Sequence, residues 1–208
     1  VVATAMPSIV EQLGGMALYP WVFSAYLLTQ TVSIPLYGRM ADLFGRRWTF
    51  LGGVSLFLLA SVLCGLAPTM PLLVAARTLQ GLGAGAVLPL TMTIFGDLYD
   101  VSTRTKLQGL FSLVWGFSSI AGPLAGGAIV ASVSWRWVFW INLPFGLIAA
   151  GIVGFLLREQ ATRRRPRLDV GGAVTLSAAT LLLLVSLLPA DQRPWGVPFG
   201  VWLGAALA

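Results

Sequence analysis

The chain has 208 residues, 57% of them hydrophobic and only 10% charged, with seven acids against thirteen bases, a net charge of +6 and a mean hydropathy of +0.87. A soluble domain carries roughly a quarter charged residues, so this chain cannot clothe a water-facing surface and its solvent must be lipid. With no histidine and one cysteine, Cys64, it excludes Ser-His-Asp and Cys-His nucleophiles, imidazole metal sites, internal disulfides and CxxC devices, and no metal or cofactor is expected.

Backbone polar groups cannot go unpaired in hydrocarbon, so apolar runs of about twenty residues without polar alternation predict spanning helices of about 30 Å. The expected fold class is therefore all-α, a polytopic membrane helix bundle. The opening Val1-Val2-Ala3-Thr4-Ala5-Met6-Pro7 has neither an initiator methionine nor a charged leader. Residues 1–10 read as the tail of an earlier span, and the chain is expected to be a fragment cut inside a span at each end. Complete runs follow at 19–37, 48–67, 71–96, 107–131, 137–157 and 170–188, and 196–208 starts another.

Between the first two complete runs lies Gly38-Arg39-Met40-Ala41-Asp42-Leu43-Phe44-Gly45-Arg46-Arg47. Gly38 and Gly45 are expected to permit a tight turn. Asp42 is expected near the start of the next helix, where an acid complements the dipole; an ordinary basic loop with one compensating acid reads the same way. The run 71–96 holds Arg77, and a bare arginine within a span costs about 2.5 kcal/mol or more. Either it snorkels to water past Pro71, or it joins Gln80, at i+3 on the same face, in a polar cluster turned into the bundle. Gly81-Leu82-Gly83-Ala84-Gly85-Ala86 fits a loose dinucleotide pattern, but no strand precedes it; its small residues suit close helix approach instead.

The run 107–131 carries Gly116-Phe117-Ser118-Ser119-Ile120-Ala121-Gly122-Pro123-Leu124-Ala125-Gly126-Gly127. Gly122 and Gly126 form a GxxxG face, and Pro123 is expected to bend the helix. In Ser134-Trp135-Arg136-Trp137-Val138-Phe139-Trp140-Ile141-Asn142-Leu143-Pro144-Phe145-Gly146 the tryptophans are expected in an outer interface belt.

Charge separates the loops. Ten of the thirteen bases (Arg39, Arg46, Arg47, Arg104, Lys106, Arg158, Arg163, Arg164, Arg165 and Arg167) fall on one side, against Arg136 and Arg193 on the other. By the positive-inside rule the rich side is cytoplasmic, and the missing N-terminus is expected there too. The same alternation explains the basic run 163–167 without nucleic acid; its expected partner is anionic lipid, at about 1 kcal/mol per base. All seven acids (Glu11, Asp42, Asp97, Asp100, Glu159, Asp169 and Asp191) fall in loops or at span ends.

Gly38-x-x-x-Asp42-x-x-Gly45-Arg46-Arg47 resembles motif A of the major facilitator superfamily and lies between the second and third spans, where that family has it. Arg77-x-x-Gln80-Gly81-x-Gly83 is similar to its motif B, and residues 116–127 to motif C, which marks its antiporter branches. The Trp-Arg-Trp…Asn-x-Pro-x-Gly string and the opening residues resemble the multidrug efflux branch. The short passage 158–168 into a further span is similar to the fourteen-helix multidrug/proton antiporters. On that likeness, 1–157 is the N-terminal six-helix lobe with its first helix truncated, 158–168 a basic cytoplasmic linker, and 169–208 an inserted helix pair with its second helix truncated.

The resemblance implies a multi-pass protein of the plasma or inner membrane that exports small organic compounds by alternating access, driven by a proton gradient without a cofactor. It implies a cytoplasmic gate at Gly38, Asp42, Gly45, Arg46 and Arg47, contacting the missing C-terminal lobe, and proton coupling through Arg77 and Gln80. Gly116, Gly122, Pro123, Gly126 and Gly127 become a hinge-like packing face. Since no carboxylate lies deep in a complete span, the proton carrier is expected upstream of Val1 or in the missing lobe. Two alternatives stay open: a nutrient importer or symporter, which shares motif A but should lack Gly122-Pro123, and a non-transporting membrane scaffold or receptor.

Overall fold

Prolines and one acid mark several of the points where this chain starts a helix. Pro20 and Pro71 sit in the first turns of their helices, where the missing N–H would have had no partner. Asp100 caps another by accepting the Ser102 amide at 3.2 Å. The computed structural model describes residues 1–157 together with Gly172, Thr175, Ala178, Ala179 and Leu182. Its elements are α1 (Val2–Leu13), a single 3-10 turn (Met16–Leu18), α2 (Tyr19–Phe44), α3 (Arg46–Leu66), α4 (Met70–Leu98), α5 (Val101–Ser132), α6 (Trp137–Trp140) and α7 (Asn142–Leu156). Among the described residues there is no strand. The linker at 158–168 and the helix pair at 169–208 fall outside the described residues, five helical positions apart.

Among the described residues, four segments are long and apolar enough to cross a membrane: Arg46–Leu66, Met70–Leu98, Val101–Ser132 and Trp137–Leu156, the last formed by α6 and α7 in series. The run expected at 19–37 is less apolar than these. Its helix α2 has 26 residues, about 39 Å at 1.5 Å per residue, but Ser24, Thr29, Gln30, Thr31 and Ser33 dilute it. Two of those hydroxyls are directed at a neighbouring helix. Thr29 Oγ1 donates to the Thr78 carbonyl at 2.9 Å, and Ser33 Oγ to the Leu82 carbonyl at 3.2 Å.

Those bonds require α2 and α4 to approach closely, and glycine allows it. A Cβ at Gly81 would collide with the Tyr26 carbonyl and Thr29 Oγ1; one at Gly85 would lie 2.7 Å from the Gln30 carbonyl. On the other side of α4, a Cβ at Gly83 would strike the backbone of α3 at Phe57 and Gly53. Helix α4 is thus held between α2 and α3 by alternating small residues.

The packing pairs follow a pattern. Helix α4 packs on α2 and α3, while α1 packs on α5 and α6; α2 packs on α3 and α5 on α6; and α3 packs on α6 and α7. Exchanging α1 with α4, α2 with α5, and α3 with the α6–α7 pair maps this set onto itself. A repeat of three spans must be inverted, because each added span reverses direction, so the second set of helices runs opposite to the first. One core of buried side chains gathers Met6, Ile9, Cys64, Leu73, Trp135 and Phe139, and a second gathers Phe50, Val54, Leu58 and Leu90 around α3 and α4.

Candidate functional site

Arg77 lies two turns into α4 and is only 6% exposed. It does not snorkel. Its Nε donates to the Val22 carbonyl of α2 at 3.1 Å, and its guanidinium lies 3.9 Å from the centre of the Tyr26 ring. One terminal nitrogen donates to Oε1 of Gln80, the partner expected one turn on. Gln80 is itself buried, and its Nε2 donates to Ser61 Oγ of α3 at 2.6 Å, while the Cys64 thiol reaches Oε1 at 3.7 Å. Among the described residues no carboxylate pairs with Arg77. A buried cation in this span is therefore held by a carbonyl, an amide and an aromatic face, all neutral.

The basic end of the bundle departs from expectation in two places. Helix α2 continues through Gly38 to Phe44, so Gly38 makes no turn and a Cβ there would meet nothing within 4 Å. Gly45 alone reverses the chain, with φ 86°. Asp42 consequently lies in the last turn of α2, exposed, and not at the start of α3. There it faces the negative end of the helix dipole. The acid that pairs with Arg46 is Asp97, in the last turn of α4, both side chains being 39% exposed. Arg47 stacks on the Trp48 ring at 5.3 Å, and its buried Nε has no partner among the described residues. Arg104 reaches back to donate to the carbonyls of Tyr99 and Gly96, closing the end of α4.

The third set lies along α5, which continues as a helix through Pro123. Gly126 is its buried residue: a Cβ there would sit 2.9 Å from Val1 Cα and 2.5 Å from Thr4 Oγ1. Gly122 faces the same residues, where an added Cβ would lie 3.6 Å from the Val1 side chain. These two glycines form the seat for α1. Gly116 and Gly127 meet nothing within 4 Å, so the structure does not bring them to that seat.

At the opposite end the interface-belt expectation fails for Trp135, which is 1% exposed. Its Nε1 donates to Gln12 Oε1 at 2.8 Å, its ring meets Phe139 edge-on, and Arg136 covers it at 4.4 Å while also donating to Gln12 at 3.3 Å. Trp137, half exposed, is free of that core; Trp140 fits against α3 because Gly65 leaves room for its indole. Mid-bundle, a cavity of about 410 Å³ is lined by aromatic side chains including Tyr26, Phe50, Trp115 and Phe145, with Gln30 and Asn142 as its polar contacts.

Sequence reasoning passed over Ser61, Cys64, Asp97 and Gln12. Each acts through a residue of another segment, and no spacing within its own helix announces it. Asp97 alone left a trace, as an acid near the basic side.

A family model described as Major Facilitator Superfamily matches residues 1–208. The multidrug transporter protein MdtP of Bacillus subtilis (strain 168) is 42% identical over 187 residues, covering 90% of this chain and 35% of that protein. Multidrug resistance protein 3 of the same organism is 41% identical over 90% of this chain and 36% of its own length. The efflux pump dotC of Dothistroma septosporum (strain NZE10 / CBS 128990) is 38% identical over 90% of this chain and 33% of its own. The chain thus spans about a third of the length of these curated relatives.

Proposed function

Since the chain belongs to the major facilitator superfamily, we propose that it forms the N-terminal lobe of a secondary transporter that exports small organic compounds in exchange for protons. The observation that carries this reading is Arg77, a buried cation within a span held only by neutral groups among the described residues. A charge at that depth is costly and marks a functional group by default. Its counter-charge is a carboxylate elsewhere in the full-length protein. When that acid is ionised it pairs with Arg77, and when protonated it releases it. Two lobe arrangements then differ in free energy according to proton occupancy, which is what a gradient needs to drive alternating access.

The direction, export, is supported by the names of the relatives, a multidrug transporter and an efflux pump among them. A cavity of about 410 Å³ with aromatic walls and two amide contacts suits a compact amphipathic compound. Arg46, Asp97 and the exposed Asp42 form the lobe's share of a cytoplasmic gate, with Asp42 awaiting a partner on the C-terminal lobe. The Gly122–Gly126 seat lets α1 shift against α5 as the lobes rock. The basic end faces anionic lipid of the inner leaflet.

The test is Arg77→Ala in the full-length protein, measured as ethidium efflux from energised cells with and without a protonophore. The substitution should abolish the protonophore-sensitive component. Undiminished proton-driven efflux overturns the assignment.

A further inference from the structure

Resting on the proton-coupled reading of Arg77, we infer that Ser61 of α3 is a positioning residue for the coupling site, setting the orientation of Gln80 and through it the Arg77 guanidinium. A guanidinium has only donors, so the Gln80 amide must turn its oxygen toward Arg77, as it does. That choice drives the amide nitrogen to the opposite side, where a buried N–H₂ needs an acceptor. Ser61 Oγ supplies it at 2.6 Å. Cys64, one turn further along α3, adds a second donor to the same Gln80 oxygen at 3.7 Å.

Ser61 and Cys64 at i, i+3 on α3 thus interlock with Arg77 and Gln80 at i, i+3 on α4. Ser61, Cys64 and Gln80 are all essentially inaccessible to solvent, so no water stands ready to replace the hydroxyl. Without it, Gln80 Nε2 is stranded, and the amide gains as much by rotating away as by staying. Arg77 then loses its only side-chain acceptor among the described residues and keeps the Val22 carbonyl and the Tyr26 ring. Helix α3 therefore reaches the coupling charge without touching it.

The experiment uses the full-length transporter in proteoliposomes, with ethidium as the probe and two rates per variant: efflux driven by an imposed pH gradient, and ethidium counterflow at equal pH. The ratio of the two should fall about tenfold in Ser61→Ala, the scale of one unsatisfied buried donor, and return to within about twofold of wild type in Ser61→Thr, which keeps the hydroxyl. A purely packing role moves both rates together. An unchanged ratio in Ser61→Ala, a proportional loss of both rates, or no recovery in Ser61→Thr overturns the inference. Arg77→Ala in the same assay separates the two levels: a wild-type ratio there overturns the coupling reading itself, whatever Ser61 does. Wild-type protein that moves no ethidium down a pH gradient overturns the proposed function and this inference with it.

Discussion

Replacing Gly81 with alanine adds a single methyl group at a close backbone contact between α2 and α4. That methyl would overlap the Tyr26 carbonyl and Thr29 Oγ1. The carbonyl belongs to the α2 backbone and cannot swing aside, so the helices must separate or strain. Overpacking of this kind costs about 1–3 kcal/mol. Separation also weakens the Thr29–Thr78 bond between the helices, an interaction worth about 0.6 kcal/mol in membrane proteins. Against this, alanine in a helix interior regains about 0.8–1 kcal/mol over glycine. The balance is a net loss of about 1–3 kcal/mol, with the clash outweighing the propensity gain.

Reversible unfolding of the purified protein in mixed micelles with increasing SDS, followed by tryptophan fluorescence, measures it. Gly109→Ala is the control, because a Cβ there meets nothing within 4 Å and only the propensity gain remains. Gly81→Ala should unfold at lower SDS fraction than wild type, and Gly109→Ala at the same or a higher one. Equal midpoints for the two variants would refute the close approach of α2 and α4 and the reasoning built on it.

Three further outcomes are expected. Gln12→Leu removes the acceptor of the buried Trp135 Nε1 and should destabilise by about 1–3 kcal/mol in the same SDS titration; a stability equal to wild type would show that the bond holds nothing. Asp97→Asn breaks the pair with Arg46, but both side chains are 39% exposed, so a double-mutant cycle with Arg46→Ala should give a coupling of only about 0.2–1 kcal/mol. Asp100 accepts hydrogen bonds from Ser102 first and Thr103 second, which hold its carboxyl down at about 2 against an ordinary 3.8. The folded value is lowered, so the cap's contribution is complete above about pH 4 and is lost as pH falls toward 2; the protection factors of the amides at the start of α5, exchange rates divided by their intrinsic rates at each pH, should fall over that window and stay constant above pH 5.

Much of this arrangement was legible in the residues themselves. Lipid forces every spanning backbone into a helix, so the apolar runs at 48–67, 71–96 and 137–157 located α3, α4 and the α6–α7 pair to within two residues, while α5 starts six residues before the run at 107–131. The i, i+3 spacing of Arg77 and Gln80 placed them on one face, and the small residues from Gly81 to Ala86 foretold close packing. Gly38 misled, because a glycine in a polar segment reads as a turn while α2 had enough hydrogen bonding to carry on to Gly45. Trp135 misled for a related reason: composition cannot tell a tryptophan at the interface from one that has found a partner such as Gln12, more than a hundred residues away.

Membership of a membrane, the helical class, the charge asymmetry and the Arg77–Gln80 face are properties of composition and local period, and the sequence by itself determined them. Tertiary structure alone decided that Arg77 turns inward onto Val22 and Tyr26, that Arg46 chooses Asp97 over the nearer Asp42, and that Ser61 holds Gln80. The physical reason is common to all three. A charge or amide in a low-dielectric interior takes whichever partner the packing of a second helix presents, and the α2–α4 and α3–α4 separations set by Gly81, Gly83 and Gly85 determine which partners those are.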